Sequence, residues 1–269
     1  MPSFTKEELL QSLQTFVEGK GAILLLAAES GSRGWGFASP DSDYDMRFIY
    51  AWPKDKCFSP FPTQDTIRWM DESGDLDFEG WSLEKVMKSL NKGNTVPLEW
   101  AQSPVIYYDR KNFSSYLVDI FGSGDNFQPK PCIGHYKGMA EKAEKEGSAK
   151  VFGPPQIKVK KLFYALRCYL AGIYTINTKH MPPMSWEALV KANVDYTNEA
   201  LLKEWDYLME QKTQNGERHV VSIPPETQKF LEDSKVTLNL WMDRTTSSLP
   251  LPHDKFSQFY RYIVEGLPA

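Results

Sequence analysis

Seven consecutive apolar residues, Ala22-Ile-Leu-Leu-Leu-Ala-Ala28, constrain the fold more than any other part of the chain. The run is well short of the roughly 20 residues a membrane span needs, and no apolar run in the sequence is longer. It has neither helical nor alternating periodicity, so it reads as a strand apolar on both faces, placed inside a sheet with cover on each side. Gly19-Lys-Gly21 leads into it, and the turn-rich Glu29-Ser-Gly-Ser-Arg-Gly-Trp-Gly36 follows at once. Upstream, Thr5-Lys-Glu-Glu8 has the capping-box pattern, in which each side chain satisfies the other residue's backbone N–H. Leu9, Leu10, Leu13, Phe16 and Val17 then recur at helical spacing, which predicts a first helix with one apolar face.

After Ser39–Ser42 a second strand is expected over Tyr44–Tyr50. Alternation puts Asp45, Arg47 and Ile49 on one side and Tyr44, Met46 and Phe48 on the other. Shorter strands are predicted at 66–70 and 76–78. From Ser82 the period becomes helical, with helices expected over 83–91, 112–120, 133–146, 157–174, 198–212, 226–242 and 254–265. The expected fold class is α+β: an N-terminal α/β domain with a short mixed sheet, residues 1–125, followed by an α-helical domain, residues 126–269.

Composition narrows the class of function. The net charge is −4 over 269 residues, which argues against coating nucleic acid by overall charge. A local strip differs: residues 130–161 hold eight lysines (130, 137, 142, 145, 150, 158, 160, 161) against Glu141, Glu144 and Glu146. It reads either as a phosphate-contacting surface or as an ordinary solvated helix face. Cys57, Cys132 and Cys168 and the four histidines lack metal-ligand spacing. With no signal-like start and no long apolar run, the expected location is cytoplasmic, away from membranes.

Chemistry concentrates at Gly31-Ser32, followed after ten residues by Asp43-Tyr-Asp45. Two carboxylates two residues apart on a strand share a face and repel unless a cation lies between them. Mg²⁺, a hard ion that takes oxygen ligands and commonly keeps phosphate oxygens, suits that place. The glycine turn after a buried strand lets backbone N–H groups approach a phosphate. Two-metal phosphoryl chemistry calls for a further carboxylate. Asp77 is the candidate, with Asp75 a same-face competitor and Glu79 a third option. Arg33 and Arg47 read either as nucleotide contacts or as structural ion pairs.

These residues resemble the nucleotidyltransferase superfamily of DNA polymerase beta. More narrowly, three stretches are similar to the RNA repair pathway DNA polymerase beta family of predicted nucleotidyltransferases: Gly31 to Tyr50, Leu76-Asp-Phe-Glu-Gly-Trp81 and Lys160-Lys-Leu-Phe-Tyr-Ala-Leu-Arg167. The likeness also touches Leu98–Pro104 and covers most of residues 20–190. It implies a polymerase-beta-like catalytic domain that transfers a nucleoside monophosphate from an NTP such as ATP to an acceptor, with release of pyrophosphate. By position, Gly31 and Ser32 would hold the triphosphate, with Arg33 beside them left as a nucleotide contact or an ion pair. Asp43, Asp45 and Asp77 would be catalytic and would hold two Mg²⁺ or Mn²⁺ ions. The family name makes an RNA 3′ end, in RNA repair, the first acceptor to expect; a protein or small-molecule hydroxyl comes next, and a non-catalytic nucleotide sensor is the further alternative.

On a helix, Lys160, Tyr164 and Arg167 would share a face at i, i+4 and i+7, opposite Leu162, Leu166, Leu170 and Ile173. Such a row could meet a triphosphate and stack on a base, or be an ordinary solvated face. Trp35, Trp81 and Trp100 are candidates for base stacking or, as large aromatics usually are, for the core.

Overall fold

The structure, a computed structural model, describes residues 4–38, 42–57, 63–149, 155–195, 197–216, 219–246 and 251–268. By contacts the chain divides into two units: Met1–Gly34 with Asp43–Asn126 and Leu249–Ala269, and Trp35–Ser42 with Phe127–Ser248. Neither is one continuous stretch. The last helical segment, grouped by sequence with residues 126–269, packs with the N-terminal unit.

In the first unit, α1 (Lys6–Gly19) starts at the expected capping box, with Glu8 N–H donating to Thr5 Oγ1 and Thr5 N–H to Glu8 Oε2. Its Leu9, Leu13 and Val17 are buried. Then come β1 (Ile23–Glu29), α2 (Gly31–Trp35), β2 (Tyr44–Ala51), α3 (Lys54–Cys57), β3 (Thr66–Met70), β4 (Leu76–Ser82), α4 (Leu83–Asn91), α5 (Val96–Ala101), β5 (Ile106–Asp109) and α6 (Phe113–Phe121).

The sheet order is β3-β4-β2-β1-β5. All neighbours are antiparallel except β2 and β4, which run parallel. As the apolar run requires, β1 is interior and buried from Leu24 to Glu29. One face of the sheet carries Leu24, Ala27, Met46, Phe48, Tyr50, Ile67 and Phe78 against Leu9, Leu13 and Val17. The parallel pairing brings the starts of β2 and β4 side by side, with Asp45 opposite Asp77. Antiparallel β1 ends there too, with Glu29 opposite Met46.

The second unit is helical: α7 (Pro129–Gly147), α8 (Val159–Thr178), α9 (Trp186–Asn193), α10 (Glu199–Asn215) and α11 (Pro225–Arg244). It also contains a sheet absent from the sequence reading, made of β6 (Ser148–Ala149), β7 (Gln156–Lys158) and β8 (Val220–Ser222), all antiparallel. Strands of two or three residues are too short to show a period, and so leave no trace in the sequence. The final helix, α12 (His253–Glu265), packs on α4 in the first unit, where Tyr260 Oη donates to Glu84 Oε1 at 2.6 Å and Asn91 Nδ2 to the Leu251 carbonyl at 3.1 Å. Among the described residues no helix is long and apolar enough to cross a membrane.

Candidate active site

The shared end of β1, β2 and β4 gathers the carboxylates. The turn after β1 is fastened to β2 by Ser30 N–H donating to the Asp45 carbonyl at 2.8 Å. Gly31 follows with φ +60°, a region that L side chains enter at a cost. There is a second reason for glycine: an ideal Cβ at Gly31 would lie 2.1 Å from Asp45 Oδ2. The Asp45 carboxylate is thus seated against bare backbone. Ser32 is buried. Arg33 turns back, its Nε donating to the Asp43 carbonyl at 3.1 Å and its guanidinium lying 4.0 Å from the Tyr44 ring centre. These partners of Arg33 are a backbone carbonyl and an aromatic ring, not the carboxylate ion pair expected as one of its two roles.

Arg47 ties the strands together. Its Nη2 lies 2.9 Å from Asp45 Oδ1 and 2.8 Å from Asp77 Oδ2, while Nη1 donates to the Asp77 carbonyl at 3.0 Å. The alternation expected for β2 put Asp45 and Arg47 on one face, and their ion pair confirms it. Of the acidic residues on β4, it is Asp77 that shares the arginine with Asp45. Asp43 lies just before β2 and is half-buried.

Glu29 is a residue at this candidate site that sequence reasoning missed. It is 1% exposed, accepts the Asp45 N–H at 2.8 Å through Oε1, and accepts the Tyr107 hydroxyl through Oε2. Burial pushes its carboxyl up to about 7, against the lowering effect of those hydrogen bonds. The Glu29 carbonyl accepts Ser103 Oγ at 2.6 Å. The available signal was a charged residue closing a run of apolar ones, and such a group is rarely buried without partners.

The donor chemistry of Asp43, Asp45 and Asp77 fits a hard divalent cation, and the bare backbone at Gly31 leaves Asp45 room beside it. Among the described residues, however, no three His, Cys, Asp or Glu side chains are grouped to hold a metal ion. Between Asp45 and Asp77 lies the guanidinium of Arg47.

In the second unit, Lys160, Tyr164 and Arg167 do not form one exposed row. Lys160 and Tyr164 are half-buried, whereas Arg167 is 1% exposed. Its guanidinium lies 4.4 Å from the Trp35 ring centre, and its Nε donates to the Met184 carbonyl at 3.0 Å. Tyr164 meets the same indole edge-on at 4.4 Å. The row reads as a surface only if α8 has an outer face, and α7, α9, α10 and α11 all pack on α8. A cation–π contact and a carbonyl make burial of the charge tolerable.

Trp35 and Trp100 are buried, as the core reading of these aromatics has it, and Trp81 packs on Trp100 at 4.9 Å. The lysine strip is partly self-neutralised: Lys137 pairs with Glu141, Lys142 and Lys161 pair with Glu146, and Lys130 donates to the Thr245 carbonyl. Lys150 and Asp41 lie outside the described residues.

Comparison with known proteins decides the family. The model of the RNA repair pathway DNA polymerase beta family matches residues 5–261, nearly the whole chain. The chain belongs to that family. It is therefore a nucleotidyltransferase-like protein, and the match extends beyond residue 195, where the sequence motifs fall silent. It is also 32% identical over 228 residues, 84% of each chain, to Uncharacterized protein YcgL of Bacillus subtilis (strain 168). Among solved structures, a nucleotidyltransferase-like protein from Exiguobacterium sibiricum 255-15 is matched over 98% of this chain and 81% of its own, at 7% identity and a TM-score of 0.30.

Proposed function

We propose that this family member is a metal-dependent nucleotidyltransferase that moves a nucleoside monophosphate from an NTP to the 3′ hydroxyl of an RNA, releasing pyrophosphate. The observation that carries the reading is the register of Asp45 opposite Asp77 on parallel strands, beside a turn where Gly31 alone makes room for the Asp45 carboxylate. Gly31 and Ser32 bind the triphosphate through backbone and hydroxyl donors. Asp43, Asp45 and Asp77 hold Mg²⁺ or Mn²⁺, which when bound offsets charge on the attacking and leaving oxygens. Asp77 accepts the proton of the attacking hydroxyl. Glu29 positions Asp45 through its backbone N–H. Lys160 and Tyr164 are proposed nucleotide contacts, and Arg167 holds the Trp35 indole on which Tyr164 rests.

The test is transfer of label from each α-³²P NTP into RNA and into protein, with Asp43→Asn and Asp45→Asn as controls. Label in RNA that both substitutions abolish supports the reading. Label in protein keeps the chemistry and overturns the acceptor. Wild-type turnover in either variant overturns the site.

A further inference from the structure

Two carboxylates facing each other across parallel strands repel, and folding brings Asp45 and Asp77 into that position. The chain supplies its own cation. One nitrogen, Arg47 Nη2, reaches both carboxylates, while Nη1 anchors the fork on the Asp77 carbonyl at 3.0 Å and the Met46 carbonyl at 3.3 Å. A guanidinium suits this bridging because its donors are fixed in a plane and stay charged at any working pH. Oδ1 of Asp45 is thereby taken by Arg47, while Oδ2 lies close against the backbone of Gly31. The Arg47 side chain is also well sheltered, at 17% exposure.

We propose that Arg47 is an internal counter-cation that competes with the divalent metal: while its fork bridges Asp45 and Asp77 the ion is held off, and binding of the ion releases the fork. This rests on the nucleotidyltransferase reading, which makes Asp45 and Asp77 metal ligands. A place for the released guanidinium lies across the strands, since Arg47 is registered opposite Glu79, whose carboxylate already accepts Arg68 and the Trp81 indole N–H. Arg47 is thus a positioning residue. It keeps the two ligands at one spacing without metal, and it sets how much metal is needed to take them over.

The experiment titrates the full chain with Mg²⁺ alone, without nucleotide. The Arg47 guanidinium resonance is followed by NMR, assigned by its loss in Arg47→Lys, and the dissociation constant is measured by calorimetry for wild type, Arg47→Lys, Arg47→Gln and Asp45→Asn. The proposal expects the resonance to move over the same concentration range in which Mg²⁺ binds. If the bridge occupies the site nine-tenths of the time, Arg47→Gln binds Mg²⁺ about tenfold more tightly. Arg47→Lys also tightens, because an ammonium keeps the charge but lacks the fork. Wild type binding Mg²⁺ with the Arg47 resonance unmoved overturns the proposal and spares the metal site, as does an unchanged constant in Arg47→Gln or in Arg47→Lys. No Mg²⁺ binding by wild type or by Arg47→Gln, or equal binding by wild type and Asp45→Asn, overturns the nucleotidyltransferase reading and the proposal with it.

Discussion

Replacing Gly31 by alanine separates two reasons for a glycine. The first is conformational: φ is +60°, and an alanine held there costs about 1–2 kcal/mol. The second is space. The new methyl would lie 2.1 Å from Asp45 Oδ2 and 3.0 Å from its Cγ. Ordinary contact begins near 3.4 Å, so the oxygen must withdraw by 1.3 Å, the difference between those distances. It cannot do so freely, because Oδ1 of the same carboxylate is held at 2.9 Å by Arg47. Gly74→Ala is the matched control: φ is +78° there, and a Cβ would meet no heavy atom within 4 Å. Thermal melts should show both variants destabilised, each kcal/mol moving Tm by about 2–4 °C in a chain of this size. Only Gly31→Ala should also lose nucleotide transfer, by about 100-fold, the usual consequence of misplacing a reacting group by an ångström. Equal melts together with equal, near-wild-type transfer in the two variants would refute the close-approach reasoning.

Glu29 predicts a pH dependence of stability. Its folded carboxyl titrates near 7 rather than at the usual 4.5, so the folded protein binds the extra proton between those values. Its contribution to stability is complete below about pH 4.5 and is lost as pH rises through about 7, an effect on the order of 3 kcal/mol. Glu29→Gln should flatten that slope, gaining on wild type at pH 8 and matching it near pH 4.5 in denaturant unfolding; an unchanged slope would refute the assignment. Gly80→Ala should cost about 3 kcal/mol in the same assay, because its methyl would lie 2.1 Å from Cε2 of the fully buried Phe48 ring. A smaller loss than Gly74→Ala shows would mean that ring can move aside.

The sheet's interior and the site's skeleton were legible because each rests on a local rule. The short run at Ala22–Ala28, apolar on both faces, reads as an inner strand, and alternation alone puts Asp45 and Arg47 on one face. What Arg47 does there was not legible, since its second carboxylate lies 30 residues away and reaches it only through the parallel β2–β4 register. Glu29 escaped for the opposite reason: its neighbours Ser30 and Gly31 announce a turn, and burial of the last strand residue depends on Tyr107 and Ser103, distant in sequence. Helical spacing placed Lys160, Tyr164 and Arg167 in one row. It could not say that Arg167 at its end is buried, because spacing carries phase and not the number of helices packed around it.

The return of α12 to the first unit has a consequence for synthesis. Residues that carry the carboxylates emerge from the ribosome early, yet the surface of α4 stays bare until residues 253–265 follow some 160 positions later, when Tyr260 can reach Glu84. Domains that fold as they are made need their parts in order, and here one part of the first unit arrives after the whole second unit has been translated. A chain cut short before α12 would carry every candidate catalytic residue on an unfinished core, so the unit bearing the site is completed only once the helical unit exists.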